Sequence, residues 1–169
     1  NMYDVVVSKI HNCNIEDLNK FDILILPIRN ILDAAISSNI RFPHISLKES
    51  CRDNINIFNK FKDISDFIFF YEKYSLNYIK ELCNKLKINP SDKTIKKIMN
   101  ELDIMHNRKD IVKKDNYNNK EFRETLFSQD HNTSGGKINK YKTDIDPIRL
   151  SELLSDKLIR NFLIKWKYL

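Results

Sequence analysis

Arg29 and Ser37 stand eight residues apart in the segment Ile23–Ser38, ILILPIRNILDAAISS. The apolar run predicts a buried strand ending near Pro27, and Asn30 is a good N-cap for a helix that follows. Arg29 then sits just beyond the C-terminal end of a strand, the edge at which open α/β sheets bind ligands. Ser37 falls about two turns into the helix. Arginine supplies a planar fork of donors and serine one short donor, so the two together suit a phosphate. The bland alternative is that Arg29 pairs with Asp33 and that Ser37 is simply a small helix residue.

The elements that must position this pair can be read from periodicity. Tyr3–Val7, Asp22–Leu26 and Phe67–Tyr71 are short apolar runs of the kind that form buried parallel strands. Helices are expected between and after them. One runs from Asn30 to Arg41. A second starts at a capping box formed by Ser46 and Glu49 and carries Leu47, Cys51, Ile55, Phe58 and Phe61 on one stripe. A third spans Tyr74 to Leu86, with Tyr78, Leu82 and Leu86 at steps of four, and a fourth begins at Pro90-Ser91-Asp92 and carries Ile95, Ile98 and Leu102. The pattern fades from Asn107 to Gln129, where an Asn- and Lys-rich surface insertion is expected. The last helix should run from Ile148 to Lys165, with Leu150, Leu154, Leu158 and Phe162 along one side. This alternation predicts an α/β layer fold in a single domain over residues 1–169, with the insertion near 107–130.

Composition narrows the classes. With 169 residues, 41% hydrophobic and 31% charged, the chain suits one soluble globular domain. No apolar run approaches the ~20 residues of a membrane span, and no leader is visible at the start, so a cytoplasmic location is expected. Cys13, Cys51 and Cys83 are odd in number and form no CxxC pair, which argues against a disulfide framework and a zinc site. His44 and His106 have no metal-ligand partners at useful spacing, and no metal is expected. The net charge of +6 favours anionic partners. It does not point to nucleic acid, because no long basic run or basic–aromatic pattern accompanies it. The carboxylates fall mostly at helical spacing from lysines, as Glu81 does from Lys85.

Arg29-Asn30-x-x-Asp33-x-x-x-Ser37 resembles the 3′-phosphate motif of PAPS-dependent sulfotransferases. Three further segments fall in that family's order. Val5–His11, VVVSKIH, is similar to the family's strand ending in Lys-x-His. Asp66–Leu86, DFIFFYEKYSLNYIKELCNKL, resembles its strand ending in Tyr-Glu and the helix that follows. His131–Lys142, HNTSGGKINKYK, resembles the glycine-containing loop that closes over the nucleotide, although the family usually has Arg-Lys-Gly and a later Trp where this chain has Ser134-Gly135-Gly136 and Tyr141. The resemblance implies a three-layer parallel sheet of the P-loop nucleotide-binding type. It also implies transfer of a sulfuryl group from PAPS to a hydroxyl or amine acceptor, a small molecule or a carbohydrate, leaving PAP. His11 would be the catalytic base, which suits an imidazole near neutrality, and Lys9 would stabilise charge on the bridging oxygen. Arg29, Ser37 and Tyr71 would contact the nucleotide, and Ser134, Gly135, Gly136 and Lys137 would cover it, glycine leaving room for backbone amides to approach a phosphate.

The family's first strand and its 5′-phosphosulfate loop have no counterpart in this chain, whose two glycines are already placed. The expected fold therefore lacks that strand and loop. A truncated sequence and a degenerate homologue both account for this, truncation being preferred. Loss of a strand would expose an edge, so a homodimer or strand exchange is a compensation to look for. Two rival functions remain at this point: a catalytically inactive binding or scaffold protein on the same fold, and another P-loop nucleotide-using transferase such as a small kinase. The Arg29–Ser37 spacing argues against the latter.

Overall fold

A computed structural model describes residues 14–101 and 138–169 of the chain. The expected strand Tyr3–Val7, the insertion, and Lys9, His11, Ser134, Gly135, Gly136 and Lys137 lie outside the described residues. What is described is α/β and mostly helical, built around a two-stranded parallel sheet of β1 (Ile25–Ile28) and β2 (Phe67–Phe70). The register runs from Ile25 opposite Phe67 to Ile28 opposite Phe70. Between the strands lie α1 (Ile31–Arg41) and α2 (Leu47–Phe61). After them come α3 (Leu76–Lys85), α4 (Asp92–Glu101), the short α5 (Tyr141–Asp144), α6 (Pro147–Ser155) and α7 (Lys157–Lys165).

The caps explain where the helices begin. Asn30 Oδ1 accepts from the Leu32 amide at 2.9 Å and starts α1. The capping box at α2 is closed in both directions: Ser46 Oγ accepts from the Glu49 amide and Glu49 Oε2 accepts from the Ser46 amide. The Ser46 hydroxyl also meets Glu49 Oε2 at 2.7 Å, and this bond, with that from the Ser46 amide, holds the Glu49 carboxyl below its usual pKa. Ser75 caps α3 and Ser91 the start of α4. The C-terminus of α3 ends in a left-handed residue, Lys87 at φ 56°, with the Ile88 amide returning to the Cys83 carbonyl. That is the turn in which glycine is the usual occupant.

Strands differ from their expected bounds in a way the turn residues explain. β1 starts at Ile25 rather than Asp22. Leu24 is tied instead to Asp66, whose amide and carboxylate bond the Leu24 carbonyl and amide at 2.9 Å each. β2 ends at Phe70, because Tyr71–Lys73 turns into a 3-10 helix. The strands are less buried than continuous apolar runs suggest, since Ile25 and Pro27 are exposed. Alternate residues of β2 face opposite sides. Ile68 packs with Leu26 and Ile28 against the main core, and Phe70 meets Trp166 at a tilt, with ring centroids 5.6 Å apart. Phe67 and Phe69 meet Tyr78 of α3 at 5.6 and 5.4 Å. Tyr78 has a second task at the strand edge. The Phe67 amide bonds toward β1, at the Leu24 carbonyl, so the Phe70 amide and Ile68 carbonyl point away from it. The Tyr78 hydroxyl takes both, accepting from Phe70 at 2.9 Å and donating to Ile68 at 2.8 Å. This side chain closes the outer edge of β2 at that point to strand addition, one of the routes by which two copies were expected to pair.

The core joins α1 and α2 to the C-terminal helices. Ile31, Leu32, Ala35, Cys51, Ile55, Phe58, Ile159 and Leu163 are at most 2% exposed. Phe58 meets Trp166 and Phe162 edge-on at 4.8 and 5.3 Å. The single last helix expected from Ile148 to Lys165 is two. Asp156 interrupts it with extended backbone, and Asp156 Oδ1 accepts from the Leu158 and Ile159 amides to start α7. Arg52 and Lys48 of α2 hold Oδ2 of the same carboxylate at 2.7 and 3.3 Å. The break re-phases the apolar stripe, so Leu153, Ile159, Phe162 and Leu163 are buried while Leu158 is exposed. Lys85, expected to pair with Glu81, reaches Asp66 at 3.8 Å instead. Among the described residues no helix is long and apolar enough to cross a membrane.

Candidate functional site

Because the parallel ladder ends at the pair Ile28 and Phe70, Arg29 and Tyr71 are the next residue of each chain at the same sheet edge. The Arg29 guanidinium lies over the Tyr71 ring, 5.3 Å from its centroid. This is a cation–π contact. Arg29 keeps 23% of its side chain exposed, and its Nη2 is 3.9 Å from Asp33 Oδ2. The sheet therefore presents a cation over an aromatic ring at the edge where α/β folds take ligands.

Ser37 lies on the same stripe of α1 as Asp33, one turn further on. Its hydroxyl donates to the Asp33 carbonyl at 3.0 Å, an ordinary back-bond for serine inside a helix. To donate to a ligand it would rotate away from that carbonyl. The structure thus brings Arg29 to both Asp33 and Tyr71, and sets Ser37 one turn beyond Asp33 on α1. Lys9, His11, Ser134, Gly135, Gly136 and Lys137 fall outside the described residues.

The main role of Asp33 was not visible in the sequence. Its side chain is fully buried. It accepts from the backbone amides of Asn139 at 2.7 Å and Tyr141 at 3.0 Å. Two charge-assisted bonds of this kind outweigh a 3.9 Å ion pair, so Asp33 serves mainly as the anchor of the segment that directly follows the Gly135-Gly136 stretch. Asn139 adopts a left-handed φ of 62° there, which asparagine tolerates better than most residues. Tyr141 is a core residue, 5% exposed. Burial and the nearby Asp33 carboxylate push its phenol above the usual pKa.

Glu72 closes the site on its other side. One carboxylate oxygen accepts from the Asn30 amide at 2.6 Å and the other from the Tyr168 hydroxyl at 3.1 Å. It occupies the N-terminal end of α1, where the helix dipole favours negative charge. Tyr168 is placed by a left-handed turn at Lys167, φ 60°, with its amide on the Leu163 carbonyl at 2.8 Å. Its own carbonyl accepts from the Tyr141 hydroxyl at 3.4 Å. The Tyr168 phenol is pushed well above its usual pKa by burial first and then by the Glu72 carboxylate, with the Arg29 charge acting the other way. The result is a closed circuit from Asn30 through Glu72, Tyr168 and Tyr141 to Asp33. Tyr-Glu following an apolar strand was the signal that pointed to Glu72. Nothing in the spacing of Tyr168 pointed to it.

Among the described residues no group of three or more His, Cys, Asp or Glu side chains is placed to hold a metal ion. His44 is exposed and lies edge-on to Phe42 at 6.3 Å. Cys51 is buried, its thiol pushed up to about 12 by burial and by Asp156, so it is a core thiol of low reactivity. No family model, no curated protein and no solved structure matches the chain.

Proposed function

We propose that this chain carries the nucleotide-recognising part of a PAPS-dependent sulfotransferase, with Arg29 and Ser37 as anchors of the 3′-phosphate and Tyr71 as a nucleotide contact. The observation that carries the reading is the Arg29–Tyr71 cation–π pair, at 5.3 Å on the carboxyl edge of two parallel strands. It agrees with the motif Arg29-Asn30-x-x-Asp33-x-x-x-Ser37 and with the Tyr71-Glu72 step, two separate segments whose family roles meet at one edge. The residues fit a phosphate in kind. Arg29 offers a permanent charge and a planar fork, and the neighbouring carboxylates of Asp33 and Glu72 accept from backbone amides and a phenol. Helices on both faces of β2 suit a three-layer sheet of the P-loop type, which would extend on the β1 side because Tyr78 closes the other.

PAPS would supply the sulfuryl group. In this reading His11 takes the proton of the acceptor hydroxyl or amine, and Lys9 meets the negative charge on the bridging oxygen. Ser134, Gly135, Gly136 and Lys137 form the cover. Asn139 and Tyr141, which follow them in the sequence, are held by Asp33 in the first turn of α1.

A second reading, a sulfotransferase-fold binding or scaffold protein without catalysis, draws on one observation. Ser37, Asp33 and Glu72 all have structural duties in the described residues. The two readings separate on ligand binding. PAP titrated calorimetrically into the 169-residue chain should bind saturably, and Arg29→Ala should weaken it by roughly 10- to 150-fold, the value of a hydrogen bond to a charged group. Absence of binding by a folded chain would favour the scaffold.

A further inference from the structure

We infer that Glu72 and Tyr168 are positioning residues for Arg29: together they clamp the backbone at Asn30 to the end of β2 and so fix the guanidinium over Tyr71. The inference rests on the reading of Arg29 as an anion anchor. Its basis is geometric. An arginine beyond a strand end has a long, rotamer-rich side chain, and its direction depends on the backbone that carries it. Here that backbone is pinned within one residue, because the Asn30 amide is 2.6 Å from Glu72 Oε1. Glu72 adjoins Tyr71, so one bond ties the residue after Arg29 to the residue after its aromatic partner.

A single carboxylate bond would leave Glu72 free to swing. Tyr168 removes that freedom by donating to the other oxygen at 3.1 Å. Tyr168 is itself held at three points: its amide on Leu163, its carbonyl on the Tyr141 hydroxyl, and its phenol on Glu72. The Tyr141 amide in turn is held by Asp33 of α1. The C-terminal end of the described chain thus closes on the strand ends 96 residues before it.

The test compares wild type with Tyr168→Phe, Glu72→Gln and Glu72→Ala. The Arg29 Nε–H resonance of 15N-labelled protein reports the pose of the guanidinium without ligand. PAP calorimetry reports its use, and thermal melting controls for folding. Tyr168→Phe should shift or broaden the Arg29 resonance and weaken PAP by roughly 2- to 30-fold. Glu72→Gln, which keeps an acceptor for Asn30, should be milder than Glu72→Ala. Should Glu72→Ala fail to fold, Tyr168→Phe, which loses one oxygen atom, carries the comparison. An unchanged Arg29 resonance and unchanged affinity in a folded Tyr168→Phe chain, with wild type still binding PAP, overturns the positioning role and leaves the function intact. If the resonance moves but wild type binds no PAP, the function falls and the clamp stands. If neither is seen, both fall.

Discussion

Oδ1 of Asp33 accepts from the backbone amide of Tyr141 at 3.0 Å, joining residues 108 positions apart inside the core. With the Asn139 amide on its other oxygen, this carboxylate fastens the C-terminal segment to the first turn of α1. Asp33→Ala would strand the buried Tyr141 amide and release that of the exposed Asn139. A buried orphan costs about 1–3 kcal/mol and a lost bond in a part-exposed setting about 1 kcal/mol more, so a loss of about 2–4 kcal/mol in urea unfolding is expected. A loss below about 1 kcal/mol would show that the segment is not held there.

Acid stability should depend on Asp156. Its burial acts to raise the pKa, but bonds from Arg52, the Ile159 amide and Lys48 outweigh it and hold the carboxyl below the usual value. A lowered folded pKa means the unfolded chain takes up protons first. The contribution is therefore complete above about pH 4, the unfolded value, and fades as pH falls through the folded one. Asp156→Asn should lower the thermal midpoint at pH 7 and flatten its decline between about pH 5 and pH 2. A parallel decline in both proteins would contradict this.

The opposite limb belongs to Tyr168. Its pKa is raised, so above about pH 10 the unfolded phenol ionises while the folded one stays neutral. Stability is then full below about pH 10 and falls as pH rises. Tyr168→Phe should reduce the alkaline slope in melts at high pH. Retention of the full slope would assign it to other groups, Tyr141 foremost.

Lys87 takes the left-handed position after α3 at φ 56°, a conformation costing a non-glycine residue about 1 kcal/mol. Lys87→Gly should therefore raise the melting temperature by about 2–4 °C. No gain would mean that glycine's greater freedom in the unfolded chain offsets the relief.

How much of this was legible follows from range. Local signals were clear: Asn30 as N-cap, the Ser46–Glu49 box, and the stripe of α2 from Leu47 to Phe58 all appear as read. Each depends on residues within a few positions. The break at Asp156 was missed because leucine periodicity runs through it, while the carboxylate that splits the helix is held by Arg52 from 104 residues away. Of the site, the Arg29–Asp33 pair was visible as helical spacing, whereas Arg29 beside Tyr71 depends on which strands pair and in what register, and was not read from the sequence. Asp33 as acceptor for Asn139 and Tyr141, and Tyr168 on Glu72, were not visible. Those bonds use backbone amides or a penultimate side chain, and no sequence pattern records such partners.

The central claim is that Arg29 reads a 3′-phosphate. The most direct test is a cycle of four calorimetric titrations, PAP and AMP into wild type and Arg29→Ala. AMP lacks the 3′-phosphate. Wild type should prefer PAP by roughly 10- to 150-fold, the scale of a bond to a charged group, and Arg29→Ala should erase most of that preference. Equal binding of PAP and AMP by wild type, or a preference that survives Arg29→Ala, would contradict the account.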